Sequence, residues 1–190
     1  KLPEALRKFT AQPVNRHRAL VVNQTIVPRG YMTEKNCISW LASNIQNYGH
    51  MFASANITGL GLVQPSKDQT IKYQVSAAEA FHKLAESGQQ SLAIVGDDGT
   101  ILASLSVTDI VGLTDATFHR LRKPVMDYLQ EHTKSKIPPV VCRATDSFEL
   151  VLLRLSVAGV AQFWVVDEGL HPVGTVSQSD VIQMLEMKSK

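Results

Sequence analysis

The sequence predicts an α/β protein built from consecutive copies of one strand-helix-strand-strand-helix repeat. Three observations carry this. An acidic-then-apolar segment recurs at Glu4-Ala-Leu-Arg-Lys-Phe9, Glu79-Ala-Phe-His-Lys-Leu84 and Glu149-Leu-Val-Leu-Leu-Arg-Leu155. Each is followed by a β-rich run: Ala19-Leu-Val-Val22, Leu92-Ala-Ile-Val95 and Phe163-Trp-Val-Val166. Each copy then closes on a hydroxyl and an Asp or Asn: Gly30-Tyr-Met-Thr33-Glu-Lys-Asn36, Ala103-Ser-Leu-Ser106-Val-Thr-Asp109 and Gly174-Thr-Val-Ser177-Gln-Ser-Asp180. From Glu to hydroxyl the spacing is 29, 27 and 28 residues, and a drift of one residue either side of 28 is what a hairpin turn inside a repeat tolerates.

The local chemistry assigns each element. Ser76 stands three residues before Glu79, the spacing of a capping box, and Asp146 is expected to cap the equivalent helix before Glu149. Asp97-Asp-Gly99 and Asp167-Glu-Gly169 separate apolar runs, so each reads as a hairpin turn whose glycine supplies the positive φ. Helical periodicity resumes after the signature at Ile38, Leu41, Ala42 and Ile45, and again at Val181, Met184 and Leu185. Asn36, Asp109 and Asp180 are therefore expected at or near helix N-termini. Trp40 and Trp164 lie in apolar stretches and are expected in the core or at a pair interface.

A single repeat is too small to bury its sheet and helices alone, so repeats are expected to pack in pairs. The organisation predicted is a partial repeat with a connector helix over residues 1–61, a repeat with its connector over 62–132, and a repeat over 133–190. The first copy lacks the strand that opens the others, and the chain begins at Lys1, so it reads as a fragment of something longer.

With 190 residues, 44% of them hydrophobic, the chain can bury a real core. Nineteen Lys and Arg against 17 Asp and Glu leave a formal charge of +2, too small a field to predict nucleic-acid or anionic-membrane binding. No apolar run approaches the roughly 20 residues of a membrane span, and no signal-peptide pattern opens the chain. The two cysteines, Cys37 and Cys142, form no CxxC pair and read as packed thiols of a reduced setting, cytoplasmic with nuclear as a second compartment. No nucleophile with its base, metal set or glycine-rich phosphate loop is visible, and His82, His119, His132 and His171 have no ligand spacing, so the prediction is a protein that is not an enzyme.

A strand, helix, hairpin and helix closing on Gly-x-x-Ser/Thr-x-x-Asp resembles the cystathionine-β-synthase (CBS) domain, and three copies at matched spacing make the resemblance specific. It implies tandem CBS repeats paired into a Bateman-type module. The order of pieces, with His17-Arg18 leading into the first β-rich run, is similar to the gamma regulatory subunits of AMP-activated (SNF1-type) protein kinases. The resemblance implies a ligand, AMP, ADP or ATP, with no further cofactor and no metal. It implies that Asp180 and Asp109 bond the ribose, that Ser177, Ser179, Ser106 and Thr108 donate hydroxyls, and that Ser91, Leu92, Ala161 and Gln162 surround the base. In the first repeat it implies Thr33, Asn36, His17 and Arg18. It also implies a protein partner of the kinase alpha or beta subunit kind, or a homodimer through CBS pairs, and the basic run Arg120, Arg122, Lys123 is the first place to look for partner contacts.

Three departures stand beside it. Gln90-Ser91 and Ala161-Gln162 occupy places where basic residues would meet phosphates, Asn36 replaces the acid of the first signature, and Ala103 stands where glycine is usual. From the residues alone, Asp109 and Asp180 can equally serve as helix caps. A CBS scaffold without ligand, used for docking or dimerisation, is the competing reading.

Overall fold

A computed structural model describes residues 9, 18–48, 50–66, 68–132 and 138–188. Its elements run β1 (Arg18–Val22), β2 (Pro28–Thr33), α1 (Glu34–Ser43), α2 (His50–Ser54), β3 (Gln64–Pro65), β4 (Thr70–Lys72), α3 (Ala77–Ser87), β5 (Ser91–Val95), β6 (Ile101–Ser106), α4 (Val125–His132), β7 (Val141–Arg143), α5 (Phe148–Ala158), β8 (Gln162–Val166), β9 (Pro172–Ser177) and α6 (Gln178–Lys188). Short 3-10 turns occupy Ile45–Tyr48, Val107–Ile110 and Phe118–Arg122. This is a mixed α/β fold, as the repeat pattern predicts. The first acidic-apolar segment and His17 lie outside the described residues, apart from a buried Phe9. The strands form sheets of order β1-β2, β4-β5-β6 and β3-β9-β8-β7.

Two compact units emerge, and neither follows the repeat boundaries: one comprises residues 1–64, 142–163 and 175–190, the other 65–141 and 164–174. In the second unit, β5 pairs in parallel with β4 and antiparallel with β6, where Ser91 stands opposite Ser106. β5 is apolar from Leu92 to Val95 because both its faces are buried. Leu92 and Ile94 join Ala77, Ala80 and Leu84 of α3 and Val125, Tyr128 and Leu129 of α4. Ala93 and Val95 pack on the opposite face with Ile101, Trp164 and Val166, and Trp164 donates its indole N–H to Ser104 Oγ at 3.1 Å.

The repeat's first helix is built alike in both complete copies. α3 starts at Ser76, whose Oγ accepts from Glu79 N, and α5 starts at Ser147, whose Oγ accepts from Leu150 N. Each ends on a glycine in the left-handed region, Gly88 at φ +63° and Gly159 at φ +69°, where a side chain would be strained. Asp146, expected to cap α5, instead accepts from Arg143 N within the preceding turn and lies 3.7 Å from Arg154, because Ser147 is one residue closer to the helix.

The second hairpin turn departs from expectation too. Gly99 takes φ +86° as predicted, but in the Asp167-Glu-Gly turn the left-handed residue is Leu170, at +62°. Gly169 is needed for space rather than for φ: a Cβ there would lie 2.6 Å from His171 Cε1. His171 Nδ1 sits 3.0 Å from Asp167 Oδ2 while its Nε2 lies 3.2 Å from the Asp98 carbonyl, so the imidazole clasps the two turns together.

In the first unit, α1 buries Cys37, Ile38 and Leu41, and α5 buries Phe148, Val151, Leu152 and Leu155. Phe52 meets Phe148 edge to face at 5.0 Å. Residues 55–58 lace onto the turn before α5 through Ile57 N to Asp146 O, Phe148 N to Ala55 O and Thr58 Oγ1 to Ala144 O. Trp164 is in the core as expected, but Trp40 is 47% exposed, on the face of α1 that carries polar neighbours. The β1-β2 hairpin leaves Leu20, Val21, Val22, Ile26, Val27 and Tyr31 exposed. Both cysteines are buried free thiols, and burial pushes that of Cys142 up to about 12. Among the described residues no helix is long and apolar enough to cross a membrane.

The clasp titrates. Asp167 raises the His171 pKa above its unfolded value, first by hydrogen bonding and then by charge, with Asp98 adding to it. Its stabilisation is therefore complete below the unfolded histidine pKa and is lost as pH rises through the folded one. An NMR titration of the imidazole should give a pKa above the ordinary histidine value, and Asp167→Asn should bring it down.

Candidate functional site

Three strands end in the same kind of turn. At the end of β2, Asn36 Oδ1 accepts from Thr33 N at 2.9 Å and from Thr33 Oγ1 at 2.7 Å, while Asn36 N donates to Thr33 Oγ1. At the end of β6, Asp109 Oδ2 accepts from Ser106 N at 2.6 Å. At the end of β9, Asp180 Oδ2 accepts from Ser177 N at 2.8 Å and from Ser177 Oγ at 2.6 Å. Asn36 and Asp180 open full helices, as expected. Asp109 does not: its turn is a four-residue 3-10 segment that ends at Ile110. The chain leaves the helical path at Val111, which is extended with ψ 133°, and Gly112 follows at φ +92°. α4 supports this turn from outside, with Tyr128 Oη donating to Asp109 O at 2.7 Å and His132 Nε2 lying 2.9 Å from Val111 O.

The second and third turns are docked on the entries to their core strands. Val107 N donates to Gln90 O, which sets Ser106, Thr108 and Asp109 beside Ser91. Gln178 donates its backbone N to Ala161 O and its side-chain Nε2 to Val160 O, which sets Ser177, Ser179 and Asp180 beside Ala161 and Gln162. Arg18 stands opposite Thr33 in the β1-β2 register, so Arg18, Thr33 and Asn36 share one end of that hairpin. Leu92 has no exposed surface and its side chain belongs to the core; strand alternation points Ser91 to the other face. Ser91 is 5% exposed and its Oγ has no hydrogen-bond partner among the described residues, a state that costs about 1–3 kcal/mol.

The two carboxylates are held in similar electrostatic conditions. Burial raises the pKa of Asp180, opposed by the hydrogen bonds from Ser177, with the charge of Glu34 raising it further. Burial likewise raises that of Asp109, opposed by the Ser106 amide and by His132. In each, the turn engages one oxygen, leaving the other as an acceptor for an added donor.

Asp180 also borders an open cleft of about 300 Å³ within the first unit, lined with Leu60, Gly61, Gln64, Gln183, Met184 and Met187. Asp180, Gln183, Met184 and Met187 form one face of α6. An apolar wall, two amides and a carboxylate suit a flat heterocycle carrying hydroxyls, and the volume is at the lower end of small-molecule sites. Sequence reasoning did not find this wall, nor Glu34, whose Oε1 accepts from Ser179 Oγ at 2.7 Å. Glu34 and Ser179 are 145 residues apart, and nothing in their spacing marks them as neighbours. Among the described residues no group of three or more His, Cys, Asp or Glu is placed to hold a metal ion.

Residues 132–186 match the family model of the CBS domain. No curated protein is similar enough in sequence to count as a match. Among solved structures, an uncharacterised conserved protein of Pyrococcus horikoshii superposes with a TM-score of 0.71 at 18% identity, over 97% of this chain and 75% of that one. A Methanocaldococcus jannaschii protein, proposed as an archaeal homologue of γ-AMPK, gives 0.66 at 18% identity, over 96% of this chain and 63% of its own. CBSX2, solved in complex with AMP, gives 0.57 at 20% identity, over 72% of this chain and 99% of its own. At these identities the likeness establishes the fold.

Because Asp180 is the third residue of α6 and returns a hydrogen bond to the Ser177 that caps it, its two roles need separate substitutions. Asp180→Ala should lower stability to urea by about 1 kcal/mol. Asp180→Asn keeps an acceptor for Ser177 N and should stay close to wild type. The folded pKa of Asp180 is raised, so ionisation costs stability as pH rises through the carboxylate range. Across that range the stability of Asp180→Asn relative to wild type should therefore increase with pH.

Proposed function

The chain carries a CBS domain at residues 132–186, and from that premise we propose that it is a non-catalytic regulatory module that binds an adenine nucleotide, AMP, ADP or ATP, and reports it to a protein partner such as a protein kinase. The observation that carries this is the position of Asp180, buried in a strand-end turn that uses one carboxylate oxygen while the residue borders a cleft in the same unit. In this reading the second oxygen of Asp180 accepts from the ribose hydroxyls, a charge-assisted pairing that a carboxylate makes well. Leu60, Met184 and Met187 cover the base, and Ala161 and Gln162 lie at the strand entry below the turn.

Asp109, Ser106 and Thr108 form the matching candidate in the second unit, where the unpartnered Ser91 hydroxyl is a donor available to a ligand. The pairing of the repeats over 62–132 and 133–190 belongs to the same proposal. CBSX2 was solved with AMP, which supports the ligand class. A bound nucleotide would shift a partner only by its differential affinity for two arrangements of the module.

One observation favours the ligand-free scaffold: Gln90, Ser91, Ala161 and Gln162 place no cation at the strand entries. Calorimetric titration separates the two. Wild type should bind AMP, and Asp180→Asn, folded as judged by its urea transition, should bind about tenfold more weakly, the loss of a charge-assisted hydrogen-bond pair. Absence of binding by folded wild type to AMP, ADP and ATP alike would leave the scaffold as the function.

A further inference from the structure

We propose that His171 is a pH-sensitive latch: as an imidazolium it ties the β5-β6 turn to the β8-β9 turn, and as a neutral ring it lets them part, so that acidification stiffens this end of the second unit.

Two hydrogen bonds join the turns. Ile101 N, at the start of β6, donates to Leu170 O at 3.0 Å, and His171 Nε2 lies 3.2 Å from Asp98 O. The other ring nitrogen, Nδ1, lies 3.1 and 3.0 Å from the two carboxylate oxygens of Asp167. A carbonyl and a carboxylate can only accept, so the ring satisfies both when each nitrogen carries a hydrogen, which is the imidazolium. A neutral ring holds one hydrogen and turns a lone pair toward the other acceptor. The Asp167 carboxylate is the stronger acceptor, so the hydrogen stays on Nδ1 and the bond given up is the one that crosses to Asp98.

The two turns are built around the ring. A Cβ on Gly99 would lie 3.2 Å from His171 Cδ2, and one on Gly169 would lie 2.6 Å from Cε1. The Asp98 side chain accepts from Thr100 N and Thr100 Oγ1, so its backbone carbonyl is what the ring meets. The charged groups of the turns and of β4 are Asp97, Asp98, Asp167 and Glu168 against Lys72, whose Nζ donates to the carbonyls of Gly96 and Asp97. This acidic excess favours the imidazolium, and Asp167 first and then Asp98 raise the His171 pKa. The tie is therefore complete below the unfolded histidine pKa and is lost as pH rises through the raised folded one. Ile101 belongs to the apolar cluster with Val95, Trp164 and Val166, so its amide reports whether that edge of the core is open.

The experiment is amide hydrogen exchange by NMR on wild type from about pH 5.5 to 8.5, the range in which histidine titrates, beside a titration of the imidazole itself. After correction for the intrinsic exchange rate, protection of the Ile101 amide should fall by about two- to fivefold as pH rises, the effect an exposed ion pair supports. Its midpoint should coincide with that of the imidazole. Ala93 N, which donates to Gln69 O, is the reference and should show no such step. His171→Gln keeps a donor and cannot titrate, so its Ile101 protection should be level, while Asp167→Asn should move the step to lower pH. A level profile in wild type, a midpoint that departs from the imidazole titration, or the same step in His171→Gln each overturns the latch.

Discussion

The turn that ends each hairpin is the constraint on which this protein depends. A strand must become a helix without leaving the last amide of the strand unpaired, and the third residue onward supplies the acceptor. Asn36, Asp109 and Asp180 do this in three copies, each bonding the amide of the hydroxyl residue three positions back. In the second and third copies a backbone bond from the next residue pins the turn to the entry of the core strand. The fold and the candidate site thus share one set of hydrogen bonds. The carboxylate is buried because the turn is docked, and it is available because the turn needs only one of its oxygens.

This arrangement explains which parts of the molecule were legible in the sequence. Local chemistry was: Ser76 at its cap, the DDG turn with Gly99 in the left-handed region, the apolar run of β5 and the resumption of helix after Thr33 and Ser177. What failed was decided by contacts across the chain or by competition between adjacent residues. Ser147 displaced Asp146 as a cap because it lies one position nearer the helix. Leu170 rather than Gly169 takes the positive φ, while the missing side chain of Gly169 leaves room for the His171 ring. After Asp109 the chain leaves the helical path at Val111, and Tyr128 and His132 of α4 hold the short turn that results.

The candidate site was legible only in its local part. The strand-end residues carry a local signature, so Asp180, Ser177 and Ser179 could be selected from one sequence. The wall of the cleft could not, because Leu60 to Gln64 and the outer face of α6 meet only through the fold. Glu34 was hidden in plain view within the first signature, two residues before Asn36, since its relevance lies in a partner on another repeat. The divided strands of the third repeat had no sequence signal either: β8 and β9 each run from one compact unit into the other.

The double use of Asp180 bears on how natural variation at this position would be read. On the proposed reading, an alanine allele would impair the helix start and the ligand acceptor together, and its phenotype would be shared between abundance and binding. An asparagine allele would leave the protein at its normal level and weaken only the binding. The first repeat already carries that amide, at Asn36, in a turn that is fully formed. A lineage could therefore retire one pocket of such a repeat protein by a single-nucleotide change while the architecture stayed intact.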